Sequence, residues 1–164
     1  MTANILAFTL ITFLHDLFTA VWIGGLIAIG ITALPAAREV LGKTPQTKKL
    51  MDAIQKRQSV LVYISIAGLV VTGLLMSRRS AEFTGLFSFA NLYSSGLAIK
   101  HILILGMIAI ALYRSLVLGR SGGPSSPSQE KLSARLLFAN ILLGIAVLLV
   151  SGFLAALSSV PLPA

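Results

Sequence analysis

Long apolar runs alternate with short polar stretches along this chain, and the pattern predicts four membrane-spanning helices. A spanning helix needs about 20 mainly apolar residues, and four stretches meet that length: residues 4–37, 60–77, 95–118 and 132–160. Short connections favour antiparallel neighbours in a helical bundle. The predicted fold is therefore all-α, an integral membrane four-helix up-down-up-down bundle that forms a single transmembrane domain over residues 1–164.

Composition supports a membrane protein and removes several kinds of site. Hydrophobic residues make up 56% of the chain, beside 13 Lys and Arg and 5 Asp and Glu, so little of it is suited to face water. There is no cysteine, which excludes disulfides, thiolate metal sites and covalent haem attachment. The basic residues that produce the net charge of +8 lie in short loops beside apolar spans, where membrane topology and anionic lipid explain them. We expect a lipid membrane as partner and no nucleic acid.

The basic residues also predict an orientation in the membrane. Ten of the 13 flank two loops, one between spans one and two and one between spans three and four: Arg38, Lys43, Lys48, Lys49, Lys56, Arg57, Arg114, Arg120, Lys131 and Arg135. The positive-inside rule places these loops in the cytoplasm and both termini outside it, in a cytoplasmic (inner) membrane. Residues 43–57 suit a helical extension of span two, and residues 119–129 a flexible connector. Residues 80–93, rich in aromatics, suit an interfacial or re-entrant segment at the outer face.

Two histidines, His15 and His101, are the candidate functional residues of this chain. An ionisable group inside a span costs roughly 2.5–3.5 kcal/mol near the bilayer centre, so each is a functional hypothesis. Both lie in the first half of spans that run in the same direction, which places both toward the outer leaflet. The two imidazoles are therefore candidates for one shared metal centre.

A b-type haem matches these features best. It needs two neutral imidazoles, an apolar slot between helices and cations for its propionates. Arg78, Arg79 and Lys100 lie on the predicted outer side and are the candidate propionate partners. Trp22 follows His15 by two helical turns, and Gly25 belongs to a run of small residues that lets backbones approach or leaves room for a flat ring. Ordinary helix packing explains the tryptophan and the glycines equally or better.

Copper is the competing metal, because imidazole and thioether ligands suit it. Met76 and Met107 are the available thioethers. Met107 lies on a different face of span three from His101, and Met76 lies at the outer end of span two. Asn140 in span four falls in the inner half, away from the histidines, and is expected to form an interhelical hydrogen bond. Asp16, next to His15, either pairs with Lys100 or reaches interfacial water.

The segment from His15 through Trp22 to Gly24-Gly25, with Pro35 closing the helix, resembles the membrane domain of copper resistance protein D. The resemblance continues through Thr72-Gly73-Leu74 and from Lys100 to Tyr113-Arg114, about residues 10–118 in all. It implies a copper transport or copper resistance membrane protein. The same layout is similar to the four-helix haem-containing protoporphyrinogen oxidase family, in which His15, Trp22 and Lys100 match the first-helix histidine, the tryptophan and the third-helix lysine.

The predicted function is a membrane b-type cytochrome that binds one bis-histidine haem b through His15 and His101 near the outer face. Its role would be electron transfer, with quinol as a candidate donor or within a larger respiratory complex. Copper transport or resistance and a porphyrinogen oxidase are the alternatives, followed by a purely structural subunit. Whether the protein is an enzyme stays open.

Overall fold

Four long helices make up the computed structural model, which describes residues 2–77, 83–118 and 126–159. They are α1 (Ala3–Leu41), α2 (Pro45–Ser77), α3 (Leu92–Leu118) and α4 (Pro127–Ser159). All four are long and apolar enough to cross a membrane. Every regular element within the described residues is helical, which confirms the predicted all-α integral membrane class.

The chain divides after Met76 into two compact units. In the first unit α1 and α2 run antiparallel. His15 on α1 lies beside Thr72 on α2, whereas Phe18, later on α1, lies beside Gly68, which is earlier on α2. In the second unit α3 and α4 are also antiparallel. There Gly96 lies against Leu154, and Gly106, further along α3, lies against the earlier Leu143.

The helices extend beyond the predicted spans at their polar ends. The second helix starts at Pro45, not at residue 60, so the basic stretch of residues 43–57 is largely helical, as its sequence predicted. Hydropathy marks the part of a helix that lies in lipid, whereas backbone hydrogen bonding continues into water. The residues 119–125 of the predicted connector and residues 80–82 of the predicted interfacial segment lie outside the described residues.

Local capping explains where several helices begin and end. Gly42, with φ of +67°, stops α1 in a backbone conformation that favours glycine. Pro45 then opens α2, since the first helical turn does not need its missing N–H. At the start of α4, Ser126 and Gln129 form a reciprocal capping box, with N···O distances of 3.0 and 3.3 Å between each backbone N–H and the other side chain.

Two wide turns interrupt the α-helical geometry of α1. Residues Ala20–Gly24 and Ala28–Ala33 form π-helical stretches. The second ends two residues before Pro35, whose ring lacks an N–H and crowds the preceding turn, so the helix widens there. The first contains Trp22, and π-turns are frequent at functional positions in helices.

Much of the helix surface is apolar and exposed, as lipid contact requires. Leu142 and Leu149 on α4 are 68% and 75% exposed, and Ile64 and Val71 on α2 are 55% and 59% exposed. Large apolar faces of this kind are unusual on soluble monomers. They fit helices whose outer faces are solvated by lipid.

Candidate functional site

His15 in α1 is held by a cross-helix hydrogen bond to Thr72 in α2. The distance from His15 Nδ1 to Thr72 Oγ1 is 2.9 Å. The hydroxyl of Thr72 donates its single hydrogen to the Gly68 carbonyl at 2.7 Å. Thr72 therefore acts as the acceptor toward the ring, and Nδ1 of His15 carries the hydrogen and donates it.

This arrangement assigns the tautomer of His15. With the hydrogen on Nδ1, the lone pair of the neutral ring lies on Nε2, the nitrogen further from the backbone. Metal-ligating histidines usually donate their other ring N–H to a fixed acceptor, which orients the ring and selects the ligating nitrogen. Thr72 is 5% exposed, so the acceptor is shielded from competing water.

Glycines on α2 bring the two helices close around His15. A side-chain carbon at Gly73 would lie 3.7 Å from His15 Cε1, an ordinary contact distance. A Cβ at Gly68 would overlap the ring of Phe18, so the phenylalanine packs directly on the α2 backbone. These glycines act as packing positions, which membrane helices use to let backbones approach.

Further along the pair, Trp22 is buried and Gly25 receives a side chain from α2. Trp22 is only 2% exposed. A Cβ at Gly25 would overlap the amide of Gln58, whose Nε2 donates to the Val21 carbonyl at 3.2 Å. Gly25 therefore makes room for an interhelical hydrogen bond, and its predicted role beside a cofactor stays a prediction.

His101 in α3 is oriented by its own helix. Its Nδ1 lies 2.7 Å from the Leu97 carbonyl, four residues earlier, and a carbonyl only accepts. Nδ1 therefore carries a hydrogen here also, and Nε2 has the lone pair of the neutral ring. The ring of Phe87 packs against the imidazole with a centroid separation of 5.8 Å and an interplanar angle of 57°.

The segment that carries Phe87 folds back on the start of α3. Thr84 Oγ1 donates to Ser94 Oγ at 2.9 Å, and Asn91 Oδ1 accepts from the Ser94 backbone N–H at 2.6 Å as the cap of the helix. Residues 83–91 contain turns and no regular helix. Gly85, with φ of +149°, lies in this turn.

The remaining predicted site residues divide between described and undescribed parts of the chain. Lys100 is half-buried in α3, beside His101. Arg78 and Arg79 lie outside the described residues, so their predicted role at the propionates stays a prediction. His15 belongs to the first unit and His101 to the second, and a centre shared by the two imidazoles stays a prediction as well.

The sequence analysis assigns no hydrogen-bonding role to two residues that bond across the helix pair, namely Thr72, which it names only in the family resemblance, and Gln58. Both lie on α2, and with Ser65 they form a series at seven-residue spacing, 58, 65 and 72, which places them on one helix face. Polar residues at heptad spacing inside an apolar helix are the signal that could have found them. Asn140, expected to bond between helices, is fully buried, and neither of its side-chain polar atoms has a hydrogen-bond partner among the described residues.

No group of three or more His, Cys, Asp or Glu side chains suitable for a metal ion occurs within residues 2–77, 83–118 and 126–159. Met107 is completely buried.

Four apolar spanning helices, with one oriented imidazole in each compact unit, define an integral membrane protein with candidate metal-ligating histidines in its spans. The family model of copper resistance protein D matches residues 52–154, which is more than half of the chain. The chain belongs to that family. The match includes Thr72 and Lys100-His101 and extends through most of α4, but it does not include the segment from His15 to Gly25, which carries part of the resemblance.

No curated protein and no solved structure matches the chain. Family membership confirms the resemblance to copper resistance protein D, and it supports the copper alternative better than the predicted cytochrome. The resemblance to the porphyrinogen oxidases stays a prediction.

Proposed function

We propose that this protein handles copper at the membrane, taking it as cargo through His15 in the first helix. The observation that carries the proposal is membership of the copper resistance protein D family. The chemistry of His15 supports it, because imidazole is a good ligand for copper and the hydrogen bond to Thr72 leaves the ligating lone pair on Nε2. Nothing in this proposal depends on the second histidine.

Copper as cargo agrees with a site in which His15 is the one proposed protein ligand. Tight resident sites usually gather three or four ligands in fixed geometry, as in structural zinc centres. One imidazole, assisted by water or by a further ligand, binds more weakly and releases more readily. A protein that passes copper onward needs such a moderate site, and the membrane location fits passage or export more simply than storage.

The test compares His15→Ala with Thr9→Ala, a matched control in the same helix. The hydroxyl of Thr9 is exposed and donates to its own-helix Ile5 carbonyl at 2.9 Å, so its removal leaves the cross-helix contacts intact. Cells that express each variant are loaded with radioactive copper, and copper per cell is followed beside copper bound by the purified protein. We expect His15→Ala to abolish copper binding by the purified protein and its effect on copper per cell. Thr9→Ala should keep both. Unchanged copper binding and transport in His15→Ala would refute the proposal.

A membrane b-type cytochrome is the second candidate, and one observation favours it. Both His15 and His101 hold the hydrogen on Nδ1, which leaves Nε2 to ligate in each ring, the tautomer that axial haem ligands need. A dithionite-reduced minus oxidised spectrum, with iron measured per chain, tests this. Stoichiometric iron and a sharp α band that His15→Ala and His101→Ala each remove would favour haem and electron transfer, with quinol as a candidate donor. Protein made with ample haem that shows no band would exclude it.

The membrane orientation is proposed from the charges, with both termini outside the cytoplasm. The chain has no cysteine, so single cysteines can report which side they face. Lys43→Cys lies in a basic loop and Phe89→Cys in the aromatic segment, and both native side chains are exposed. In intact cells a membrane-impermeant maleimide should label the second and not the first. The opposite labelling pattern would reverse the topology.

A further inference from the structure

Two buried polar side chains, one on α1 and one on α2, have no hydrogen-bond partner among the described residues. Trp22 and Ser65 are 2% and 1% exposed. The indole Nε1 of Trp22 and the hydroxyl of Ser65 have no hydrogen-bond partner among the described residues. Buried polar atoms in proteins are almost always satisfied, by protein groups or by ordered water.

The helix geometry brings these two residues to the same level. His15 bonds to Thr72, and Trp22 lies seven residues after His15 while Ser65 lies seven before Thr72. The helices α1 and α2 are antiparallel, and Phe18 packs at Gly68 while Gln58 packs at Gly25. Trp22 lies between Phe18 and Gly25 on α1, and Ser65 lies between Gln58 and Gly68 on α2, so these two contacts enclose both residues at one level of the helix pair.

The contacts on either side restrict what fits between them. Phe18 packs on the backbone at Gly68 on one side, and Gln58 fills the space above Gly25 on the other. Trp22 Nε1–H is a donor only, so its partner must be a hydrogen-bond acceptor and not a metal cation. The hydroxyl of Ser65 both donates and accepts.

We infer that a single ordered water molecule binds between Trp22 Nε1–H and Ser65 Oγ. Water is the smallest group that accepts from the indole and also bonds to the hydroxyl. This site is distinct from the proposed copper ligand, since it rests on the packing of α1 against α2 and on no property of a metal. It gives unit 1 a hydrated position between the His15–Thr72 bond and the contact of Gln58 with Gly25.

The sequence makes this water unusually accessible to measurement, because Trp22 is the only tryptophan. In full-length protein labelled with ¹⁵N-tryptophan in deuterated detergent, one indole Hε1 signal reports on the site. We expect a nuclear Overhauser cross-peak from Hε1 to the water frequency. Its sign should be that of a water molecule that tumbles with the protein. Ser65→Ala should remove most of that cross-peak and shift Hε1 upfield.

Ser59→Ala is the matched control, since its hydroxyl lies on the same helix and already donates to the Gln55 carbonyl at 2.9 Å. It should leave the Hε1 signal and the water cross-peak unchanged. A wild-type spectrum without a water cross-peak overturns the inference. A cross-peak at a slowly exchanging hydroxyl frequency would show a direct Trp22–Ser65 bond and overturn it too, as would an Hε1 signal that is insensitive to Ser65→Ala.

Discussion

The bond between His15 and Thr72 yields the sharpest prediction, for the variant Thr72→Val. Valine keeps the shape of threonine and replaces the hydroxyl with a methyl group, so it removes the acceptor of the 2.9 Å bond with little other change. The Nδ1–H of His15 then loses its fixed partner. We expect the ring to populate the other tautomer, in which Nε2 carries the hydrogen and does not ligate a metal.

The expected magnitudes follow from the type of bond. Interhelical hydrogen bonds in membranes contribute about 0.6 kcal/mol on average and at most about 1.7, which is roughly a 3-fold to 20-fold change in an equilibrium. Loss of the acceptor that orients a metal-ligating histidine typically lowers metal affinity about 10-fold to 100-fold. The effect on copper should therefore exceed the effect on stability. Thr72→Ser keeps the hydroxyl and is the matched control.

Nitrogen chemical shifts measure the tautomer directly. With only two histidines in the chain, ¹⁵N-histidine labelling gives a simple spectrum, and His101→Ala assigns it. In wild type and Thr72→Ser we expect a protonated Nδ1 and an unprotonated Nε2 at His15, and a mixture in Thr72→Val. Copper affinity is then measured by competition with a chelator. If Thr72→Val retains both the wild-type tautomer and the wild-type affinity, the assigned role of Thr72 is wrong.

Three further predictions concern stability, each measured by thermal unfolding in detergent. Gly68→Ala should destabilise the protein by about 1–3 kcal/mol because the new methyl group overlaps Phe18. Gly24→Ala should not, since a Cβ at Gly24 has no atom within 4 Å. Equal destabilisation by the two variants would contradict the packing argument. Asn91→Ala should cost about 1 kcal/mol through loss of the α3 cap, and an unchanged midpoint would argue against that cap. Asn140→Leu should be neutral or stabilising, because it removes two buried polar atoms without partners among the described residues; a large loss of stability would reveal a partner for Asn140.

The sequence predicted the number and class of the helices well, because membrane insertion depends on the length and apolarity of each run and on little else. It predicted the helix ends less well. Hydropathy alone places the start of α2 at residue 60, and only the helical character of residues 43–57 predicts the observed start at Pro45. The two wide turns of α1 depend on hydrogen bonding that a hydropathy pattern does not contain.

The site was only partly predictable for a related reason. His15 was identified from the cost of placing an ionisable group in lipid, a property of the residue itself. Its partner Thr72 is 57 positions away, and the choice among the polar residues of α2 depends on helix rotation and on the close approach that Gly68 permits. By contrast, the bond from His101 to the Leu97 carbonyl is local, at a spacing that any helix offers.

That difference between the two histidines has a functional consequence. The acceptor of His101 is a backbone carbonyl of its own helix, so its ring stays oriented as long as α3 is folded. The acceptor of His15 is a side chain on another helix, so its ring orientation depends on α1 and α2 remaining in register. A movement that separates α1 from α2 would release Nδ1 of His15 and weaken copper binding there. The Thr72→Val variant reproduces that released state chemically, and its copper off-rate should therefore resemble that of a protein in which the two helices have moved apart.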